Sequence, residues 1–140
     1  MKKTTLPTKQ KDIKRDWFLF DAKDQILGRL ATGLAQNLMG KNKPYFIHNL
    51  DCGDHVVVIN ASRIKVTGNK AKQKLYDSFS GYPGGRKKHT FEDILNQNPQ
   101  RIIREAVSGM LPKNKLRDQM LKRLYVYKDD NHPYQAKFKI

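Results

Sequence analysis

At 140 residues the chain is long enough for one domain whose core needs no metal or disulfide to hold it. Its 28 Lys and Arg against 13 Asp and Glu leave a net charge of +15, which repels itself unless an anionic partner neutralises it. Cys52 is the single cysteine, which excludes an intramolecular disulfide. The basic start lacks the apolar stretch of a signal peptide and no run has the length of a membrane span, so a cytoplasmic protein with no membrane partner is expected.

Residues 1–16 hold six basic and two acidic residues and form an expected weakly ordered N-terminal arm. Residues 17–128 are expected to form a single α/β domain, and residues 129–140 a polar tail on its surface. Order is expected to begin at Trp17–Phe20, an apolar run suited to a buried strand, with Trp17, Phe18 and Phe20 in the core. Asp21–Asp24 reads as a turn able to cap a helix. Leu27, Leu30, Ala31, Leu34, Ala35 and Leu38 then recur at helical spacing and make one apolar stripe. Gly40 and Pro44 end that helix, leaving Lys41 and Lys43 at the negative end of its dipole and within reach of a partner. Asp51–Asp54 is a turn, and Val56–Ile59 is continuous and β-branched, as in a strand buried on both faces. Strand, amphipathic helix and buried strand predict a βαβ unit and a parallel sheet. Ile64–Thr67 reads as one more short strand.

Residues 65–90 break the pattern. They carry seven Lys or Arg against one acid, Asp77, and four glycines with Pro83 interrupt any long regular element. Tyr76, Phe79 and Tyr82 lie between the basic groups Lys70/Lys72/Lys74 and Arg86/Lys87/Lys88, with His89 next to the second. The aromatics suit either stacking on bases or anchoring the loop to the body. Thr90 and Asp93 form a capping box, Asn98 and Pro99 start a helix lined by Ile102, Ile103, Ala106, Val107 and Met110, and Pro112 ends it. Leu116, Met120 and Leu121 belong to a further short helix, and Leu124–Tyr127 to a last strand.

The charge is not spread evenly. Residues 1–16, 65–90 and 113–128 together hold 19 of the basic residues and four of the acidic ones, which accounts for the whole net charge; the rest carries nine of each sign. A neutral body with cationic segments is the layout of a polyanion binder. Catalytic motifs fail. Lys87 is followed by Lys88 where a P-loop needs Ser or Thr, and no glycine fingerprint follows Trp17–Phe20. Asp51, Cys52, Asp54 and His55 lack the second cysteine or further nitrogen donors that a zinc site asks for, and no nucleophile elbow accompanies His48, His55, His89 or His132. No cofactor, metal or small-molecule substrate is expected. Without a helix-turn-helix or zinc module, RNA is favoured over DNA. The alternatives are an RNA-acting enzyme with an α/β nucleotide site and a general nucleic-acid-binding protein.

Several stretches, in order, resemble large-subunit ribosomal protein thirteen, the L-thirteen family: Trp17–Ala22, Leu27–Ala31, Gly53–His55, Asn60-Ala61, Val66–Lys70, Pro83–Gly85, Gly109–Lys113 and Lys122–Tyr127. The tail from Tyr134 to Phe138 departs from the family's usual ending. The resemblance implies a three-layer α/β/α fold around a parallel sheet of about four strands. It also implies a non-enzymatic protein that binds large-subunit ribosomal RNA beside neighbouring ribosomal proteins and acts early in subunit assembly. RNA-facing parts are then the glycine–basic loop Lys70–Lys88 and the turn Met110–Lys115. The candidate RNA-binding residues are Arg29, Lys41 and Lys43 about the first helix, and Lys70, Lys72, Lys74, Arg86, Lys87, Lys88 and His89 in the loop. Lys113 and Lys115 in the turn, and Lys122 and Arg123 before the last strand, complete them.

Overall fold

The structure is a computed structural model and describes residues 7–138. Strand β1 (Trp17–Asp21) leads through helix α1 (Leu27–Met39) to a parallel neighbour, β2 (His55–Ile59). A short helical turn, α2 (Lys70–Gln73), precedes an antiparallel hairpin of β3 (Leu75–Phe79) and β4 (Arg86–Thr90). Helices α3 (Phe91–Gln97), α4 (Pro99–Met110) and α5 (Leu116–Lys122) follow, and β5 (Leu124–Val126) returns to pair with β2. The parallel sheet has the order β1-β2-β5. The expected α/β class and βαβ unit are present. The sheet has three strands, because the Ile64–Thr67 stretch pairs at one point only, Lys65 with Ile26.

Why β2 is central follows from its side chains. Val56 and Val58 point to one face, in register with Leu124 and Val126 of β5, and all four join one core with the apolar stripe of α1 and with Ile102, Ile103 and Val107 of α4. Val57, on the other face, is equally buried. That other face carries an aromatic column. Trp17 stacks on His55 with ring centroids 4.3 Å apart, and Tyr125 lies 5.7 Å from Trp17 and 4.6 Å from Tyr134. The C-terminal segment is held there: the Ala61 N–H donates to the Tyr127 carbonyl at 3.1 Å, and the Asn60 N–H to that of Asp129 at 3.2 Å. The tail is largely exposed and is tied to the sheet at Asp129 and Tyr134.

Two local expectations are corrected. Position in the sheet overrides the apolar run at β1: it is an edge strand, so Phe18 and Leu19 stay 38% and 46% exposed, Phe20 packs against the core, and neither Phe18 nor Trp17, which stacks on the far face, belongs to it. No side chain caps α1, whose N-cap is Ile26. The Asp21 carboxylate accepts instead from the Lys23 N–H at 2.9 Å and from Asn60 Nδ2 at 3.0 Å, closing a local turn. Elsewhere local chemistry and structure agree. Thr90 and Asp93 make the reciprocal capping box, and Asn98 caps α4 with Pro99 in its first turn. Gly40 ends α1 in the left-handed conformation, and Leu111 turns extended before Pro112, as the residue before a proline must.

The glycine-rich segment is more ordered than its composition implies. Tyr76 is buried at 8% exposure and joins the core, so its strand has a side to pack. The hairpin turn follows from Tyr82-Pro83-Gly84-Gly85: proline sets the first corner, Gly84 takes φ 73°, and the Gly85 N–H donates to the Tyr82 carbonyl at 2.9 Å. That combination defines a type II turn.

The aromatic column makes stability depend on pH. Burial lowers the pKa of His55 below its ordinary 6.5, and the Arg123 and Arg15 guanidinium groups lower it further, against a weaker pull from Asp54. The unfolded chain therefore takes up a proton that the folded chain resists, so stability is full above 6.5 and falls as pH drops through the folded pKa. The thermal midpoint is expected to fall between about pH 7 and about pH 5, and His55→Gln to flatten that dependence. The lowered carboxyls of Asp21, Asp24 and Asp93 titrate below their ordinary 3.8, outside this window. An equal pH slope in the variant would remove His55 as its cause.

Candidate nucleic-acid interface

Charges that are used up inside the protein define the interface by subtraction. Asp51 and Asp54 precede β2 and are both buried. Arg123, at the end of α5 and 8% exposed, forks onto the Asp51 carboxylate: Nη2 lies 2.6 Å from Oδ1, and Nη1 pairs with Oδ2. Its remaining donors reach the Leu38 carbonyl at 3.2 Å and the Asp54 carbonyl at 3.3 Å. Lys43 Nζ donates to Asp54 Oδ1 at 2.5 Å, to the Cys52 carbonyl at 2.9 Å and to the Lys14 carbonyl at 2.5 Å. Arg15 donates to the carbonyls of Gly53 and Asp51, at 2.5 and 3.1 Å. Gly53 is needed here because a Cβ would sit 1.6 Å from the Leu38 carbonyl oxygen.

Two of the candidates are engaged inside the protein. Arg123 is buried on Asp51, and Lys43 Nζ already donates to Asp54 and to the carbonyls of Cys52 and Lys14. The described part of the arm touches the body at several points: Thr8 Oγ1 donates to the Tyr45 carbonyl at 2.9 Å, and the Asp16 N–H to Asp54 Oδ1 at 2.9 Å. The signal for this lay in two acids flanking Cys52-Gly53 directly before a fully apolar strand, where unpaired charge is not tolerated.

The other candidate cations face outward. Arg29, Lys41, Lys70, Lys72, Lys74, Arg86, Lys87, Lys88, Lys113, Lys115 and Lys122 are all exposed. His89 is half-buried opposite Tyr76, on the hairpin side turned to the body. On the opposite side, Phe79 faces Arg86 and Asp77 faces Lys88 across the strands. Arg86 pairs with Asp77 and holds its carboxyl below the ordinary range. Lys74 Nζ lies 5.5 Å from the centre of the Tyr76 ring, near the hairpin's base. Phe79 and Tyr82, at the far end, are 69% and 75% exposed. The three aromatics thus divide: Tyr76 anchors and the other two are presented.

Three separate stretches meet in one cleft. Gly28 at the start of α1, Thr67, Lys70 and Lys74 before the hairpin, and Gly109 and Met110 at the end of α4 line an opening of about 340 Å³. A second basic group lies at the other end of α1, about 20 Å along the helix at 1.5 Å per residue. There the Pro112–Asn114 turn meets Met39 and His48, which brings the segment that carries Lys113 and Lys115 to the end of α1 that Lys41 follows. Lys122 lies beside Arg104 and Asp118.

Among the described residues no three His, Cys, Asp or Glu side chains gather as a metal would require, and no helix is long and apolar enough to cross a membrane. This is an α/β body that pairs its buried charges internally and carries exposed cations on its helices, its hairpin and its connecting turns. Residues 15–133 match the family model described as ribosomal protein L13. Over 136 residues, 97% of this chain and 94% of the relative, it is 54% identical to large ribosomal subunit protein uL13 of Prochlorococcus marinus. It is 50% identical to the uL13 protein of Stutzerimonas stutzeri over 94% of this chain and 93% of that one, and 47% identical to that of Nautilia profundicola over 98% of both. The chain belongs to the ribosomal protein L13 family and is a structural ribosomal protein, not an enzyme.

Removing one partner of a buried pair leaves the other charge stranded, which costs about 3–5 kcal/mol. Arg123→Met is expected to lose about that much stability in urea unfolding, whereas Lys87→Gln changes it by less than about 0.5 kcal/mol. Equal stabilities would show that Arg123 is not a structural cation.

Proposed function

We propose that the protein binds large-subunit ribosomal RNA through its exposed cations and, beside neighbouring ribosomal proteins, supports early assembly of the large subunit. The observation that carries this reading is the separation of charge. Once Arg123, Lys43 and Arg15 are paired with Asp51 and Asp54, exposed cations remain among the described residues on the hairpin, at the cleft by the start of α1 and around Lys41, Lys113 and Lys115. A rigid body with cationic groups at both ends of one helix is suited to bridge RNA elements that lie apart, and such bridging favours an early role. The relatives' name, large ribosomal subunit protein, supports the same partner.

Each phosphate neutralised contributes about −0.7 to −0.9 to the slope of log affinity against log salt. About eight such contacts weaken binding roughly a thousand-fold or more between about 50 and about 200 mM salt. Changing Arg86, Lys87 and Lys88 together to Gln is expected to flatten that slope by about two units and to leave the thermal midpoint of the free protein nearly unchanged. In cells the protein is expected to co-sediment with large subunits through a high-salt wash. Recovery only in ribosome-free fractions, or binding of duplex DNA equal to that of ribosomal RNA at the same salt, would overturn the proposal.

A further inference from the structure

We infer that the end of the hairpin is a stacking site for unpaired RNA bases, formed by Phe79 and Tyr82 and flanked by Arg86, Lys87 and Lys88. The inference deepens the proposed RNA binding and rests on it. Two large aromatic rings are exposed by 69% and 75%, three residues apart, at the end of a two-stranded projection. Neither supports the fold. The core contact of this hairpin is Tyr76, at its base, and the hairpin's ladder continues without the rings through the Ser80 N–H to the Gly85 carbonyl at 3.3 Å. Exposed aromatics of this kind cost solubility, and here they are kept in place by a specific turn. Pro83 and the left-handed Gly84 close it, and a Cβ at Gly85 would lie 3.0 Å from the Tyr82 carbonyl oxygen. The turn therefore limits the freedom of Tyr82 before any partner arrives, which lowers the entropy lost on binding.

Charge selects the occupant. The acid nearest the site, Asp77, is held by Arg86 and lies opposite Lys88, while Lys87, opposite Ser78 on the other side of the ladder, has no acid across from it. Phe79 and Arg86 are directly opposite in the register and share one face, on which Asp77 and Lys88 also pair. A ring beside a cation suits a nucleotide, whose base offers a flat π face and whose phosphate offers the anion. A protein surface would offer an apolar pocket without the phosphates. Paired RNA is a poor fit, because an A-form helix keeps its base faces stacked; unpaired loops, bulges and ends expose them.

The test uses the full chain and a large-subunit ribosomal RNA transcript, with affinity measured at several salt concentrations. Phe79→Ala with Tyr82→Ala is expected to weaken binding about ten-fold or more at fixed salt with an unchanged salt slope, since stacking releases no counterions. Phe79→Trp with Tyr82→Trp restores affinity, and Phe79→Leu with Tyr82→Leu, apolar but not aromatic, does not. A double Ala variant that binds the transcript as tightly as the unaltered chain overturns the inference. So does full rescue by the Leu pair, which marks simple apolar burial. RNA affinity that is intact while entry into large subunits is lost assigns the tip to a protein partner and likewise overturns it. Failure of the unaltered protein to bind the transcript at all strikes the RNA-binding reading itself, and so is distinguished from failure of the stacking site. Thermal midpoints of the variants, expected to be unchanged for such exposed side chains, exclude misfolding as the cause.

Discussion

The buried pair of Asp51 and Arg123 is the constraint on which the other parts depend. Two charges taken out of water are tolerated only with close geometry and with their remaining donors satisfied. Here those conditions bind distant parts of the chain to one another. Arg123 reaches the carboxylate before β2, the last turn of α1 through the Leu38 carbonyl, and the start of β2 through the Asp54 carbonyl. Arg15 brings the arm to the same point, and Lys43 on Asp54 closes the loop that follows α1. The pair is thus less a source of net stability than a means of specifying how the arm, α1, β2 and the α5–β5 junction meet.

That arrangement also sorts the cations. A chain with so large an excess of positive charge has few carboxylates to share, and two are placed where, among the described residues, Arg15, Lys43 and Arg123 reach them. Among the described residues the other acids pair with only a few surface cations, Lys65, Arg86 and Arg101, and the remaining exposed cations repel one another. Structure and function are linked here by scarcity: the same allocation that satisfies the core leaves much of the surface charge unneutralised.

The hairpin shows a second division of roles within one short segment. Tyr76 enters the core and fixes the base of the hairpin, while Pro83, Gly84 and Gly85 fix its end. Between them the exposed face alternates in charge, Asp77 against Lys88 and Phe79 against Arg86. An isolated two-stranded hairpin is marginal in water. This one persists because α2 and α3 sit at its base: the Phe91 N–H donates to the Lys74 carbonyl at 3.0 Å and Phe91 itself is buried.

By itself the sequence determined what local chemistry determines. The apolar stripe of α1, the valine run of β2, the Thr90–Asp93 box, the Asn98-Pro99 start and the Pro112 stop all appear where their periodicity and hydrogen-bonding chemistry put them. The family, too, was legible in the order of its short stretches. Only the tertiary structure decided that Phe18 lies on an edge and is exposed, that the glycine-rich segment pairs into a hairpin, and that Tyr76 anchors while Phe79 and Tyr82 are presented. It alone decided that Arg123 and Lys43, cations like any other in sequence, are internal. The physical reason is range. Periodicity and capping act within a few residues, whereas an ion pair 72 positions apart depends on which elements the whole fold brings together. A lysine or arginine carries no local mark of whether its nearest carboxylate will be a neighbour in space or a phosphate of another molecule.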